Sequence, residues 1–389
     1  MLLISTRKIV ILIISKIKMI FYLILFVLII LPTKHEATLN NLSCKNENGE
    51  SVDWFYLYKL PKLTNEIKDF KELNSGTSYV YMTEMEQKWK LSEFSINDTK
   101  SLPGMTLNVL YKNLSLSYLN DLRIGYILYN DQADKVTLIN GHTKGVLLFD
   151  SISAVWIVHS IPHYPPKLEP RGYYINASQL VYGQSMLCLT VKFDTLEDIG
   201  QQLLYNYPQI YDYYIPDSFK ATNMILDNIL SVLKGKHVEQ APWYHLTVLE
   251  TFKNNHRFLS FAKFTNFEDD LYTVLVAEQL KSNLATETWN NGPGTLPSNC
   301  SLKYSVFNIQ EVSFNFLNVS FSVHNDHSKW AVTLPSSLAN IAIACVGDIN
   351  RQVEQYKRAG GTLCLLDNVN IWQEYYGLVN NFDVCKIKV

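Results

Sequence analysis

Two short segments, 185 residues apart, constrain this chain more than any other feature of its sequence. "GHTKGVLLFD" (141–150) and "DHSKWAVTL" (326–334) each set His-x-Lys at the head of an apolar run that reads as a β-strand. In a strand, residues i and i+2 share a face and lie roughly 6.5–7 Å apart. Each motif therefore offers an imidazole and an ammonium to one side. A single His-x-Lys is a common tripeptide that usually sits on a solvated strand, so the weight comes from the repetition.

The surroundings repeat as well. Strand-like runs at 55–60, 79–82, 124–129, 145–150, 155–160 and 186–193 are followed by helical spacing over 196–214. After Pro216 a similar order returns. A strand at 258–264 precedes a helix over 269–284, whose acidic start (Asp269, Asp270) suits its positive end. Strands follow at 312–316, 329–334 and 341–348, then a polar helix over 351–359, a strand at 362–367 and a final helix from Ile371. The fold class expected is mixed α/β: two similar halves, 38–214 and 215–389, each a mixed sheet flanked by helices, packed about a pseudo-twofold axis. Such packing brings the two motifs face to face.

Residues 1–37 are set apart from that fold. Basic residues (Arg7, Lys8, Lys16, Lys18) flank and precede the apolar run Met19–Pro32, which suits a signal-peptide core and falls short of the about 20 residues of a comfortable span. A retained signal-anchor over Ile9–Leu31 is the alternative. The remainder carries 29 basic and 35 acidic residues, a net charge of −6 with neutral histidine, so nucleic-acid binding at neutral pH is disfavoured. Eight of the nine histidines lie there, and the charge moves toward zero as they protonate. All six cysteines (Cys44, Cys188, Cys300, Cys345, Cys364, Cys385) follow the leader and read as three disulfides, with 15 connectivities open. None has the C-x-x-C spacing of a zinc or redox site. Six sequons, at Asn41, Asn97, Asn113, Asn176, Asn299 and Asn318, agree with secretion.

Two imidazoles and two cations facing across a cleft suit phosphodiester cleavage without metal. One imidazole attacks phosphorus, the other protonates the leaving oxygen, and the lysines neutralise the non-bridging oxygens.

Ordered blocks along most of the mature chain carry a resemblance. They include "VLYKN" (109–113), "YNDQ" (129–132), "GHTKGVLLFD", "VWIVHSIPHYPP" (155–166), "YGQSMLCLT" (182–190), "FLSFAKFTNFEDDLY" (258–272), "LPSNCS" (296–301), "DHSKWAV" (326–332), "CVGDINRQ" (345–352) and "GGTLC" (360–364). The chain resembles the deoxyribonuclease II family, acid nucleases of the phospholipase D superfamily. The resemblance implies two phospholipase D-like halves and a lysosomal or secreted endonuclease that acts on DNA at acid pH, needs no metal or other cofactor, and leaves 3′-phosphate ends. It assigns His142, Lys144, His327 and Lys329 to catalysis, with His159 as a third histidine and His142 favoured as nucleophile. "GDIN" stands where the superfamily has Gly-Ser-x-x-Asn, so Asp348 and Asn350 become candidates to orient an imidazole or bind a phosphate oxygen. It further implies the pairings Cys44–Cys188, Cys300–Cys385 and Cys345–Cys364. One departure is Ala331, where the family often has cysteine.

Lys263, on an apolar strand, must snorkel or meet an anion, and is a candidate for phosphate binding. Trp330, beside Lys329, is expected to wall the cleft. His163, His237, His245, His256 and His324 are expected to be surface or structural. Two half-sites in one chain make a monomer sufficient, and a homodimer stays open. Two other readings also stay open: the same chemistry on another phosphodiester such as a phospholipid, and a secreted DNA-binding protein without turnover.

Overall fold

The computed structural model describes residues 42–63, 75–113, 115–133, 136–168, 172–221, 226–335 and 341–385. The expected leader, 1–37, lies outside them. Alternation of apolar side chains produces two large sheets. The first contains β3 (Trp54–Lys59), β4 (Tyr79–Thr83), β5 (Lys90–Leu91), β6 (Gly125–Asn130), β7 (Lys144–Phe149), β8 (Ser153–His159), β9 (Gln184–Lys192) and β10 (Ile210–Tyr214). A small hairpin, β1 (Cys44–Lys45) and β2 (Ser51–Val52), precedes it. The order is β10-β6-β7-β8-β9-β3-β4-β5, antiparallel throughout.

The second sheet contains β11 (Tyr244–Glu250), β12 (Arg257–Lys263), β13 (Leu284–Glu287), β14 (Val306–Phe314), β15 (Val319–Ser322), β16 (Trp330–Thr333), β17 (Ala344–Gly347), β18 (Gly360–Leu365) and β19 (Val379–Phe382). Its order is β11-β12-β18-β17-β16-β13-β14-β15, with β19 on β14 and one parallel pair, β13–β14, making it mixed. The run β6-β7-β8-β9-β3 in one sheet has its counterpart in β13-β16-β17-β18-β12 of the other, and each His-x-Lys segment leads into the corresponding strand, β7 or β16.

Period two decides which side chains face where. Trp54, Tyr56, Leu147, Phe149 and Trp156 meet Ile309, Val312, Trp330, Val332 and Leu363 in the core between the sheets. The alternate residues of the first sheet, including Phe55, Val146, Leu148 and Ile157, form an outer core with Leu102, Leu107 and Leu110 of the helix Leu102–Tyr111. That helix starts where the Ser101 hydroxyl accepts from the Gly104 N–H at 3.1 Å. Phe261, Ala331, Cys345 and Cys364 pack the outer face of the second sheet against Leu271, Leu275 and Leu280. Each large side chain so buried contributes about 1.5–3 kcal/mol. Disulfides Cys44–Cys188, Cys300–Cys385 and Cys345–Cys364 join the six cysteines as the resemblance implied.

Three segments differ from the sequence expectation. The helix expected over 196–214 ends at Asn206: Tyr207 turns left-handed (φ 45°), Pro208 follows, and the tyrosine-rich remainder becomes β10. The helix expected over 269–284 is a π-helical turn, Tyr272–Val276, and one α-helical turn, Ala277–Leu280, before β13 begins. The polar helix expected at 351–359 is a 3-10 turn, Val353–Lys357. Here the chain must reach β18 within a few residues, and a tighter turn suffices.

Candidate active site

Both motifs sit where one half meets the other, and they are held in matching ways. The His142 N–H donates to the Ala359 carbonyl just before β18 (2.8 Å), and the His327 N–H donates to the Gly183 carbonyl just before β9 (2.9 Å). Glycine is required at 183 because a Cβ there would stand 2.3 Å from Asp326 Oδ1. Lys329 N–H donates to Ser185 Oγ at 3.0 Å, again across the halves.

Around the first motif, His142 Nδ1 lies 2.5 Å from the Asp348 carbonyl oxygen. That oxygen can only accept, so Nδ1 carries the proton and Nε2 keeps its lone pair. The Thr143 hydroxyl donates to Asp348 Oδ2 (2.5 Å), and the Gly361 N–H donates to Oδ1 (2.9 Å). Asp348 is thus committed to holding the first motif, and burial pushes its pKa up to about 6. Lys144 Nζ donates to Asp131 Oδ1 at 2.6 Å, while Arg358 Nη2 reaches Asp131 Oδ2 at 3.0 Å. Burial works to raise the Asp131 pKa, but Lys144, His142 and Arg358 together hold it below the usual carboxylate range.

Around the second motif, Asp326 accepts from the hydroxyls of Tyr58 and Ser328, and the Ser328 N–H donates to its Oδ1 at 3.0 Å. Lys329 Nζ donates to the His327 carbonyl. The His327 imidazole has aromatic neighbours: Tyr182 lies flat against it (centroids 4.0 Å, 9° between planes) and Trp289 meets it edge-on (4.7 Å, 64°). His327 Nε2 is buried without a hydrogen-bond partner among the described residues.

Electrostatics tie the two motifs together. Burial, then the Lys144 charge, holds His142 well below the ordinary imidazole pKa, with Asp131 opposing and Lys329 adding to the depression. Burial, then Lys329, Lys144 and Lys59, pulls His327 down to about 3. Lys329 falls to about 7 through burial and the nearby Lys144 charge. His159, fully buried at the end of β8, accepts the Ile161 N–H on Nδ1 (3.1 Å), so Nε2 carries its hydrogen and finds no partner among the described residues. Burial and Lys144 bring its pKa to about 3. His142, Lys144, His159, His327 and Lys329 therefore share one electrostatic site. Asn350 lies close after β17, buried, with Oδ1 unpartnered among the described residues.

Two expected residues lie elsewhere. Trp330 is a correction: it is completely buried between the sheets against Tyr375 (5.3 Å) and walls no cleft. It follows Lys329 directly, and adjacent residues of a strand point to opposite faces. Lys263 is buried and donates to the carbonyls of Gln355 (2.7 Å) and Tyr356 (3.1 Å), which occupy it without an anion. Its pKa drops to about 7 through burial. Lys59 at the end of β3 is its counterpart, also near 7, donating to Leu60, Gly76 and Leu180 carbonyls. Among the described residues no group of three or more His, Cys, Asp or Glu could hold a metal ion.

Sequence reasoning missed Asp131, Arg358, Tyr182 and Lys59. A signal existed for Lys59, since "FYLYKL" and "FLSFAKF" each end an aromatic strand with lysine.

Comparison with known proteins supplies the relatives. The family model described as Deoxyribonuclease II matches residues 43–385. Deoxyribonuclease-2-alpha of Mus musculus is 35% identical over 350 residues, covering 88% of this chain and 94% of the mouse protein. Deoxyribonuclease-2-beta of Homo sapiens is 36% identical, covering 89% and 92%. Plancitoxin-1 of Acanthaster planci is 36% identical, covering 90% and 94%.

Proposed function

The chain belongs to the deoxyribonuclease II family, and from that premise we propose that it is an acid endonuclease that hydrolyses DNA without metal through a phosphohistidine on His142. The observation that carries the direction of attack is the His142 Nδ1 contact to the Asp348 carbonyl, which leaves Nε2 free to attack. His142 Nε2 bonds to phosphorus as the bond to the 5′-oxygen breaks. The proton for that oxygen comes from His327. Neutral His327 then takes a proton from water, whose oxygen attacks phosphorus and breaks the P–N bond. The fragment ends in a 3′-phosphate, and both histidines return to their starting states.

Lys144, Lys329 and the His159 Nε2–H face the charge that develops on the non-bridging oxygens. Asn350 is a further donor to phosphate, and Asp348 positions His142. Acid dependence follows from the depressed imidazole pKa values: at neutral pH neither histidine is charged, and His327 must be protonated to act as acid. The incoming phosphodiester anion counters the lysines and raises that pKa toward the working pH. Contacts to phosphate carry little sequence information, so low sequence specificity is expected. One chain holds a complete site, and a lysosome or the cell exterior supplies the acid or oxidising setting that the site and the disulfides suit.

Incubation of the mature protein with plasmid DNA at pH 5 in EDTA tests this reading. Fragments with 3′-phosphate ends, lost in His142→Ala and His327→Ala, are the expected result. A retarded band without cleavage would mean a binding protein, and a strict need for Mg²⁺ would contradict the two-histidine mechanism.

A further inference from the structure

His142 and His327 occupy matching places, yet they are held by different chemistry. His142 has a hydrogen-bonded Nδ1, whereas His327 has Tyr182 against one face at 4.0 Å and the Trp289 edge at 4.7 Å. The backbone fixes both aromatic residues in place. Gly183 pairs with the second motif on both sides, its N–H donating to the Asn325 carbonyl (2.8 Å) and its carbonyl accepting from the His327 N–H (2.9 Å). The neighbouring Tyr182 is thereby fixed over the ring. Trp289 adopts φ 58°, a left-handed conformation that bulky residues rarely take and that functional sites tend to retain.

Resting on the endonuclease reading above, we infer that Tyr182 is a positioning residue for the general acid: its ring face holds the His327 imidazole in plane and stabilises the imidazolium that protonates the leaving oxygen. An aromatic face attracts a cation by its quadrupole, and it does so best where water is excluded. The groups around His327 otherwise work mainly against protonation. Lys329 on its own segment, Lys144 on β7 and Lys59 on β3 repel a proton, while the carboxylates Asp326 and Glu287 act on Lys329. Glu287 is itself held well above the carboxylate range by burial, so it brings little charge at acid pH. A cation-supporting ring that adds no titrating carboxylate suits an acid that must charge only when substrate arrives. His142, which must keep a lone pair, has no such ring among the described residues.

The test compares Tyr182→Leu with Tyr182→Phe. Tyr182 is only half-buried, so either variant should fold. Loss of the ring face makes the imidazolium harder to form, and the alkaline limb of the pH–kcat profile moves to lower pH by roughly 0.4–1.5 units. Tyr182→Phe keeps the face and the limb. The His327 ring nitrogen shifts, titrated by NMR without substrate, should show the same displacement in Tyr182→Leu alone. A limb and an NMR titration unmoved in Tyr182→Leu, or moved equally in Tyr182→Phe, would overturn the inference. Metal-free cleavage by the unsubstituted protein is the control that separates this outcome from failure of the endonuclease reading itself.

Discussion

Asp131→Asn removes one charge from the most buried ionic cluster of the site. Both carboxylate oxygens are used, by Lys144 at 2.6 Å and Arg358 at 3.0 Å, and the Asp131 and Lys144 side chains are each 2% exposed. An amide can present only one acceptor, so one cation would face an N–H₂ group and both would lose their countercharge. Breaking a buried pair by removing one partner costs about 3–5 kcal/mol. At about 2 °C per kcal/mol, the low end expected for a chain of this length, the melting temperature should fall by roughly 6–10 °C. The folded pKa of Asp131 lies below its unfolded value, so its contribution is present above about pH 3.9 and fades only as pH falls further. The loss should therefore be the same at pH 5 and pH 7. Asp131 also fixes Lys144, so kcat should fall alongside stability. Asp367→Asn is the matched control. It breaks an exposed pair with Arg257, at a left-handed position that asparagine tolerates, and should cost at most about 1 kcal/mol. Thermal unfolding followed by circular dichroism at both pH values, with DNA cleavage at pH 5, reads all of this. Equal shifts for the two substitutions, or full activity in Asp131→Asn, would refute the reasoning.

Other substitutions separate packing from chemistry. Trp330→Ala should cost about 3–5 kcal/mol by leaving a cavity between the sheets, while Trp330→Phe should leave the salt dependence of DNA binding unchanged, read by filter binding. Replacing Cys44 and Cys188 by serine opens a crosslink spanning 144 residues and should lower the urea-derived stability by about 2–5 kcal/mol. His159 is neutral in the folded protein down to about pH 3, so below its unfolded pKa near 6.5 the unfolded chain takes up a proton that the folded site refuses. Its share of stability is present above pH 6.5 and is lost as pH falls. His159→Asn should accordingly flatten the decline between pH 6.5 and 4 by up to about 1.4 kcal/mol per pH unit, measured from urea midpoints. An unchanged slope would place that imidazole in contact with water.

The strands were legible because apolar and polar faces alternate locally, and both motifs were visible because each is a local pattern at a strand head. The helix expected over 196–214 stops short because, although "YNYPQIYDYY" keeps apolar residues at helical spacing, Pro208 and pairing with β6 decide its state. Trp330 parts from Lys329 because neighbours along a strand face opposite sides. Asp131 and Arg358 stand 227 residues apart, and nothing in either segment announces the other. The same holds for Tyr182 above His327. Such contacts arise only when two halves close on each other, which is where the candidate site lies.

The most direct measurement traps the proposed intermediate. A thymidine 3′-(p-nitrophenyl phosphate), labelled in its phosphate, needs no acid to expel nitrophenolate, and so reaches the phosphoenzyme even without His327. An alkaline denaturing quench, proteolysis and mass spectrometry then locate the label. The account predicts phosphorylated His142 in the unsubstituted protein, more of it in His327→Ala, where deacylating water lacks its base, and none in His142→Ala. Turnover with no label on either histidine, or label on His327 alone, would contradict it.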